Sequence, residues 1–514
     1  MRPPLRQINV NDLYGKKGSI RKQTGCEKSM VQSDERNLSM MMDLYEMTMA
    51  NGYFSDETAA DYVTFDVFYR KNPDNGGFAI FAGLEQIIEY IENLHFSDDD
   101  VAYFRSLNLF GDEFLEFLKG YHFHGNISAF PEGTIMYPNE PIITVTAPLI
   151  DAQIIETALL AQVNHQSLIA TKTRRIVHAA KDKAVSDFGA RRAHNMDAAL
   201  YGARASYIGG AVASATVMAG KRFGIPITGT MAHSWVMYYE DEYTAFKKYA
   251  EKYPDAALFL VDTYDVLKSG IPNAIRVTKE VLEPMGKRLK GVRLDSGDLA
   301  YLSKKARKML DDAGMEDTII VASNSLDEFT ISSLLDQGAC IDSFGVGERL
   351  ITAKSDPVFG AVYKLTSVTK NGEIIPKIKI SETAEKITNP GEKKVYRIYD
   401  EAGKAIADLI TKGDETPDLS QPYRYVDPGK PWKNRYFENC TAKELQVPVI
   451  VDGKRVYPKQ SLQELQDYVA AQLQNEIWVE EQRFENPHIH YLDMSPYYYE
   501  MKMGLLEETR KKES

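Results

Sequence analysis

The chain has 514 residues, of which 44% are apolar and 26% charged, with a formal net charge of -12. These are ordinary values for a globular protein, and they exclude disordered and fibrous classes. Single cores stop growing near about 250 to 300 residues, so the length calls for two or three domains. The acidic balance offers no basic field to a polyanion, which argues against nucleic acid and anionic membrane as partners, though a local Arg/Lys cluster can still hold a small anion.

Residues 1–36 are basic but lack the apolar core of a secretory signal, and read as a flexible extension. No run approaches the roughly 18 apolar residues of a membrane span. Cys26, Cys340 and Cys440 lie far apart without CxxC pairing, which argues against a zinc site or a disulfide framework and for a reducing cytoplasm. From Ser39, SMMMDLYEMTMANGYF reads as a helix capped by Ser39 and stopped at Asn51-Gly52. YVTFDVFYRKNP alternates as a strand, FAIFAGLEQIIEYIENL is helical, and YHFHGNISAFPEGTIMYPNEPIITVTAPL is β-rich and broken by turns. Residues 37–150 therefore suggest an α+β region on an antiparallel sheet.

After Asp151 long helical stretches alternate with short apolar strands that end on polar residues. With Asp187, Thr230, Asp262, Asp295, Ser323 and Gly345 as markers, consecutive ends lie 43, 32, 33, 28 and 22 residues apart, about one βα unit each. Such a series over 151–365 favours an irregular, TIM-like parallel α/β barrel, whose strand ends converge on one pocket. A doubly wound open sheet is the competing architecture. No GxGxxG follows a strand with an acid some twenty residues on, and no GxxxxGK[ST] occurs, so neither nucleotide fingerprint is present. Over 366–514 the pattern returns to hairpins with Asn-Gly, Pro-Gly and Ala-Gly turns, then a helical SLQELQDYVAAQLQNEIWVEEQRF, as if the chain came back to complete the first region's sheet as a sandwich.

Chemistry concentrates at the strand ends. In ITGTMAHSWVMYYE, Thr230 and His233 stand three apart at an expected strand-to-loop transition, where an imidazole can act as base or nucleophile. The competing reading is a packed histidine. VRLDSGDL offers Arg293, whose fork suits a carboxylate or phosphate, and Asp295, an acceptor for ribose hydroxyls, while Asp298 reads better as a helix cap. SFGVGERLITAK supplies Gly345 and Gly347, where backbone N–H groups can approach an anion, then Thr352. SDFGARRAH places Phe188 to stack on an aromatic ring and Arg191 to hold negative charge, against the reading of core ring and surface arginine. No metal ligand set is assigned.

DLYEMTMANGYF, DFGARRAH, TGTMAHS, VRLDSGDL, ASNS and FGVGERLIT occur in the order seen in nicotinate phosphoribosyltransferases, which the chain resembles from about Asn37 to its C-terminal region. The resemblance implies a barrel joined to a sandwich built from both chain ends. It implies synthesis of nicotinate mononucleotide and diphosphate from nicotinate and 5-phosphoribosyl 1-diphosphate, with ATP as co-substrate and Mg2+ on the diphosphate, at the entry to NAD salvage. It places a phosphohistidine at His233, nicotinate contacts at Tyr45, Thr230 and Arg293, and a donor contact at Thr352. By similarity to the related nicotinamide enzyme, Phe188 stacks on the pyridine, Arg191 holds phosphate or carboxylate, and Asp295 binds the ribose. Tyr45 is expected to come from a partner subunit, in a cytoplasmic homodimer. Two alternatives stand beside it: a nicotinamide phosphoribosyltransferase, disfavoured because GAVASATVMAG carries no acid for an amide NH2, and a non-catalytic sugar-phosphate sensor.

Overall fold

The computed structural model describes residues 36–56, 58–381 and 387–513. The expected N-terminal extension and Cys26 lie outside them, except Arg36, whose guanidinium bonds both carboxylate oxygens of Asp197 at 3.0 and 3.1 Å. Cys340 and Cys440 are free thiols. Among the described residues, no helix is long and apolar enough to cross a membrane.

Six short strands form one parallel sheet: β1 Ala184–Asp187, β2 Ala213–Ser214, β3 Leu258–Leu260, β4 Gly291–Leu294, β5 Ile319–Ser323 and β6 Ser343–Val346. Their order is β2-β1-β6-β5-β4-β3. Sequence neighbours lie side by side and the last strand pairs with the first, which is the cyclic order of a barrel; a doubly wound sheet would reverse direction about a switch point. One seam lies between β2 and β3, where Ile227 makes a single parallel bridge to Ser214. The strands carry nearly unbroken apolar runs, with Phe259, Val292, Leu294, Ile320, Phe344 and Val346 all fully buried, as a sheet covered on both faces requires.

That seam corrects the expected strand running up to His233. Pro226 has no N–H to extend the ladder and Gly229 follows close behind, so pairing stops after one residue. His233 instead opens the helix His233–Tyr238, and a second helix, Glu242–Lys252, begins after a break.

A seven-stranded antiparallel sheet runs in the order Glu373–Pro376, Val362–Lys370, Tyr62–Phe68, Ile143–Pro148, Asn126–Ala129, Val447–Val451, Lys454–Arg455. Its middle comes from before the barrel and its flanks from after it, so the chain must return to finish it. The return begins at Val362, which pairs with Phe68. A second sheet holds Thr441–Glu444, Lys393–Tyr399, Ala405–Lys412 and Leu492–Met494. The long helix Glu156–Ala180 links the two halves, and its Ile169 and Ile176 are buried in one core with Val67, Val145, Val185 and Phe344. The first helix starts at Leu44 rather than Ser39, because Glu46 bonds back to the Asp43 amide, and it runs through Asn51-Gly52 to Ser55.

Candidate active site

Arg293 is the residue around which the strand ends assemble. It lies on β4, with Leu260 of β3 and Val321 of β5 as its register partners. Its Nε donates to Ser323 Oγ at 2.8 Å, Nη1 to Thr230 Oγ1 at 3.2 Å and Nη2 to Asp295 Oδ1 at 2.9 Å. The guanidinium carbon stands 5.3 Å from the centre of the Phe188 ring. One fork therefore ties β4, β5 and the loop before His233 over an aromatic face.

Phe188 follows β1, and its amide donates to Val346 O at 2.8 Å, which pins the ring beside β6. A Cβ on Gly345 would lie 2.5 Å from that ring, and one on Gly347 would lie 3.3 Å from the Phe188 carbonyl. The missing side chains of the two glycines therefore make room for Phe188, a packing role that stands beside the expected approach of their backbone to an anion. Asp187, buried beneath, accepts from the Gly189 amide at 2.8 Å and the Ser214 hydroxyl at 2.7 Å, which fixes the turn that aims the ring; burial raises its pKa despite those bonds.

His233 Nδ1 lies 3.1 Å from Thr263 Oγ1, and Nε2 lies 3.7 Å from Asp295 Oδ2, with the imidazole 40% exposed. The ring is thus held from one side and open on the other. Asp295 feels burial, which raises its pKa, but a bond from the Ser323 hydroxyl, the Arg293 charge and the nearby His233 outweigh it, and the carboxyl sits below its ordinary range. Its amide donates to Asp262 Oδ2 at 3.0 Å, which also takes the Ser296 hydroxyl at 2.5 Å. Asp262 Oδ1 is buried without a hydrogen-bond partner. Asn324 and Ser325, just past β5, both have positive φ, 87° and 51°, a strained turn of the sort found at functional sites.

Arg191 is exposed on the turn Ala190–Arg192. The loop carrying Thr352 packs against that turn, since a Cβ on Gly189 would come within 2.5 Å of Ile351. The Thr352 hydroxyl donates to Glu348 O at 2.8 Å. Thr230, Arg293, Phe188, Asp295 and His233 thus come together, with Arg191 and Thr352 on the adjoining rim. Tyr45 shares no contact with this cluster among the described residues. It sits 42% exposed on the helix Leu44–Ser55, where burial and the Glu156 carboxylate that its hydroxyl meets raise the phenol's pKa. Ser323, one of the six strand-end markers, joins the site as their convergence implies, and Thr263, which no motif singles out, joins it too; its place just past a strand end is the available signal. Asp298 is a helix cap as expected, accepting from the Tyr301 amide at 3.0 Å.

Comparison with known proteins follows the same outline. Residues 40–164 match the nicotinate phosphoribosyltransferase N-terminal domain, 183–426 the nicotinate phosphoribosyltransferase family and 392–502 the corresponding C-terminal domain. The nicotinate phosphoribosyltransferase of Bacillus subtilis is 46% identical over 477 residues, 92% of this chain and 96% of that protein. The Caenorhabditis elegans nicotinate phosphoribosyltransferase is 34% identical over 510 residues, 87% of this chain and 90% of the relative. The crystal structure of human nicotinic acid phosphoribosyltransferase superposes with a TM-score of 0.81 at 28% identity, covering 91% of this chain and all of that one.

Proposed function

The chain belongs to the nicotinate phosphoribosyltransferase family, and from that premise we propose that it joins nicotinate to the ribose of 5-phosphoribosyl 1-diphosphate, releasing diphosphate, in a reaction coupled to ATP hydrolysis through a phosphorylated His233. The observation that carries the reading is Arg293 held between Phe188 and Thr230. A planar aromatic acid finds a ring to stack on and a fork for its carboxylate in one place. Nicotinamide would leave that fork facing a neutral amide, and Gly210–Gly220 brings no acid to receive its NH2.

Departure of diphosphate leaves positive charge on the ribose carbon, and the anionic Asp295 stabilises it and takes hydrogen bonds from the ribose hydroxyls. Arg191 and the Thr352 loop form the rim where the donor's phosphates lie. Magnesium fits as a companion of the diphosphate. Among the described residues no group of three or more ligating side chains stands ready, and Asp262 offers one orphaned oxygen beside Asp295. Asp262 and Asp295 would help hold such an ion, whose charge would offset that of the leaving diphosphate. His233, aligned by Thr263, is the phosphoryl acceptor from ATP, and its phosphorylation favours a closed, high-affinity state of the site.

Tyr45 completes the pocket from a second subunit. Its helix presents Leu44 and Met49 to solvent beside it, with Met41 exposed just before the helix, an apolar patch suited to a subunit contact. Behind Tyr45, Glu156 neighbours Lys364, which burial, Arg70 and Lys379 push below its ordinary pKa despite that carboxylate. Initial rates with nicotinate and nicotinamide, each with and without ATP, test the reading. Nicotinate with ATP should be fastest and should leave acid-labile phosphate on the protein. Equal rates for the two pyridines, or full ATP stimulation in His233→Ala, would sink it.

A further inference from the structure

Away from the barrel, between the two sheets of the sandwich, a cavity of about 270 Å3 is lined by Asp66, Asn389, Lys393, Asp427 and Lys502, with Phe68, Leu492 and Met494 as apolar wall. Its charges are unequally satisfied. Lys393 is buried and bonded to Asp66, which also accepts from the Thr144 hydroxyl at 2.8 Å, so that pair is neutral and complete. Lys502 is different. Its ammonium donates to a neutral acceptor, Asn389 Oδ1, at 2.7 Å, and among the described residues no carboxylate lies within ion-pair distance of it. Burial, with Lys393 adding repulsion, pushes its pKa down to about 8. Asp427 is deficient in the opposite sense. Its Oδ1 accepts from the Gly429 amide at 2.9 Å, while Oδ2 is buried without a hydrogen bond, its nearest cation being Arg435 Nη2 at 3.9 Å. An ammonium without an anion and a carboxylate oxygen without a donor are both costly to leave in low dielectric.

We infer that this cavity binds a small organic acid bearing a hydrogen-bond donor, a hydroxy or amino acid, with its carboxylate on Lys502, its donor toward Asp427 and its apolar body against Phe68, Leu492 and Met494. One uncompensated cation suits a single negative charge. A phosphate dianion would bring two charges to one free ammonium while facing Asp66 and Asp427. The apolar wall adds affinity for a hydrocarbon body that a bare inorganic ion lacks. None of these residues belongs to the barrel cluster, so the inference stands apart from the reaction assigned to that site.

The test is a lysine footprint on the full-length protein. Brief acetylation at pH 8, followed by peptide mass spectrometry, reads the labelling of Lys502 alone or with phenyllactate, benzoate or inorganic phosphate. Phenyllactate should protect Lys502 about tenfold once it stands ten times above its Kd, benzoate less well, and phosphate hardly at all. Calorimetry supplies the second measurement: phenyllactate binding heat should vanish in Lys502→Met and weaken in Asp427→Asn. Labelling unchanged by phenyllactate, equal protection by phosphate, or undiminished binding to a folded Lys502→Met would each overturn the inference. The wild-type footprint decides alone if the variants do not fold.

Discussion

The guanidinium of Arg293 stands 5.3 Å above the ring of Phe188, and the ring in turn occupies the space that a side chain on Gly345 would need. Substituting Gly345→Ala should therefore act on a residue it does not replace. A methyl 2.5 Å from the ring must displace Phe188 or β6, at an overpacking cost of about 1–3 kcal/mol. On the proposed function, in which the ring is the platform for nicotinate, the expected signature is a KM for nicotinate raised about tenfold with kcat nearly unchanged. A normal KM in a folded Gly345→Ala enzyme would show that Phe188 does not seat the substrate.

Arg293→Lys separates charge from geometry. The lysine keeps the positive charge but cannot bond Ser323, Thr230 and Asp295 together while leaving a planar fork for a carboxylate. Charge-assisted hydrogen bonds are worth about 1.5–3 kcal/mol each, so kcat/KM for nicotinate should fall roughly a hundredfold. Steady-state kinetics on the purified variant provide the check. A loss of less than about fivefold would mean that charge alone suffices at this position.

The residues that assembled here were legible as strand ends, because apolar runs punctuated by Asp, Arg or Ser are visible without tertiary information. Two features were not. The end of the strand before His233 is one: β2 is two residues long and Ile227 pairs alone, too short for any periodicity to show where the ladder stops ahead of the helix that begins at His233. The packing of Phe188 against Gly345 and Gly347 is the other, because what a glycine makes room for depends on what faces it, and Phe188 lies 157 residues before Gly345. The sandwich was half legible: its hairpins followed from turn residues, but the pairing of Tyr62–Phe68 with Val362–Lys370 is a contact between distant segments that local pattern only hints at.

His233 and Thr263 give a third prediction. The 3.1 Å contact fixes the ring, so Thr263→Val, which keeps the shape and removes the hydroxyl, should loosen the imidazole and cut the stimulation of synthesis by ATP. One hydrogen bond of roughly 1 kcal/mol corresponds to about a fivefold loss. Thr263→Ser should restore most of it, and the rate without ATP should change little in either variant. Equal stimulation in the Val and Ser variants would remove Thr263 from the mechanism.

Glu46 makes the helix that presents Tyr45 sensitive to pH. Its side chain is fully buried; Oε1 accepts from the Asp43 amide at 3.3 Å and the Thr157 amide at 3.1 Å and bonds the Thr157 hydroxyl, while Oε2 has no hydrogen-bond partner. Burial lifts its pKa from 4.5 to about 7, against the lowering effect of those bonds. The folded state therefore binds a proton that the unfolded chain has already released. The associated stability is fully present below pH 4.5 and is lost as pH rises toward and through 7. Glu46→Gln mimics the neutral acid at every pH, so the difference in melting temperature between the variant and the wild type should widen in the variant's favour from pH 5 to pH 8. A constant difference across that window would mean that Glu46 is ionised in the fold and that the Tyr45 helix is anchored by a carboxylate, not an acid.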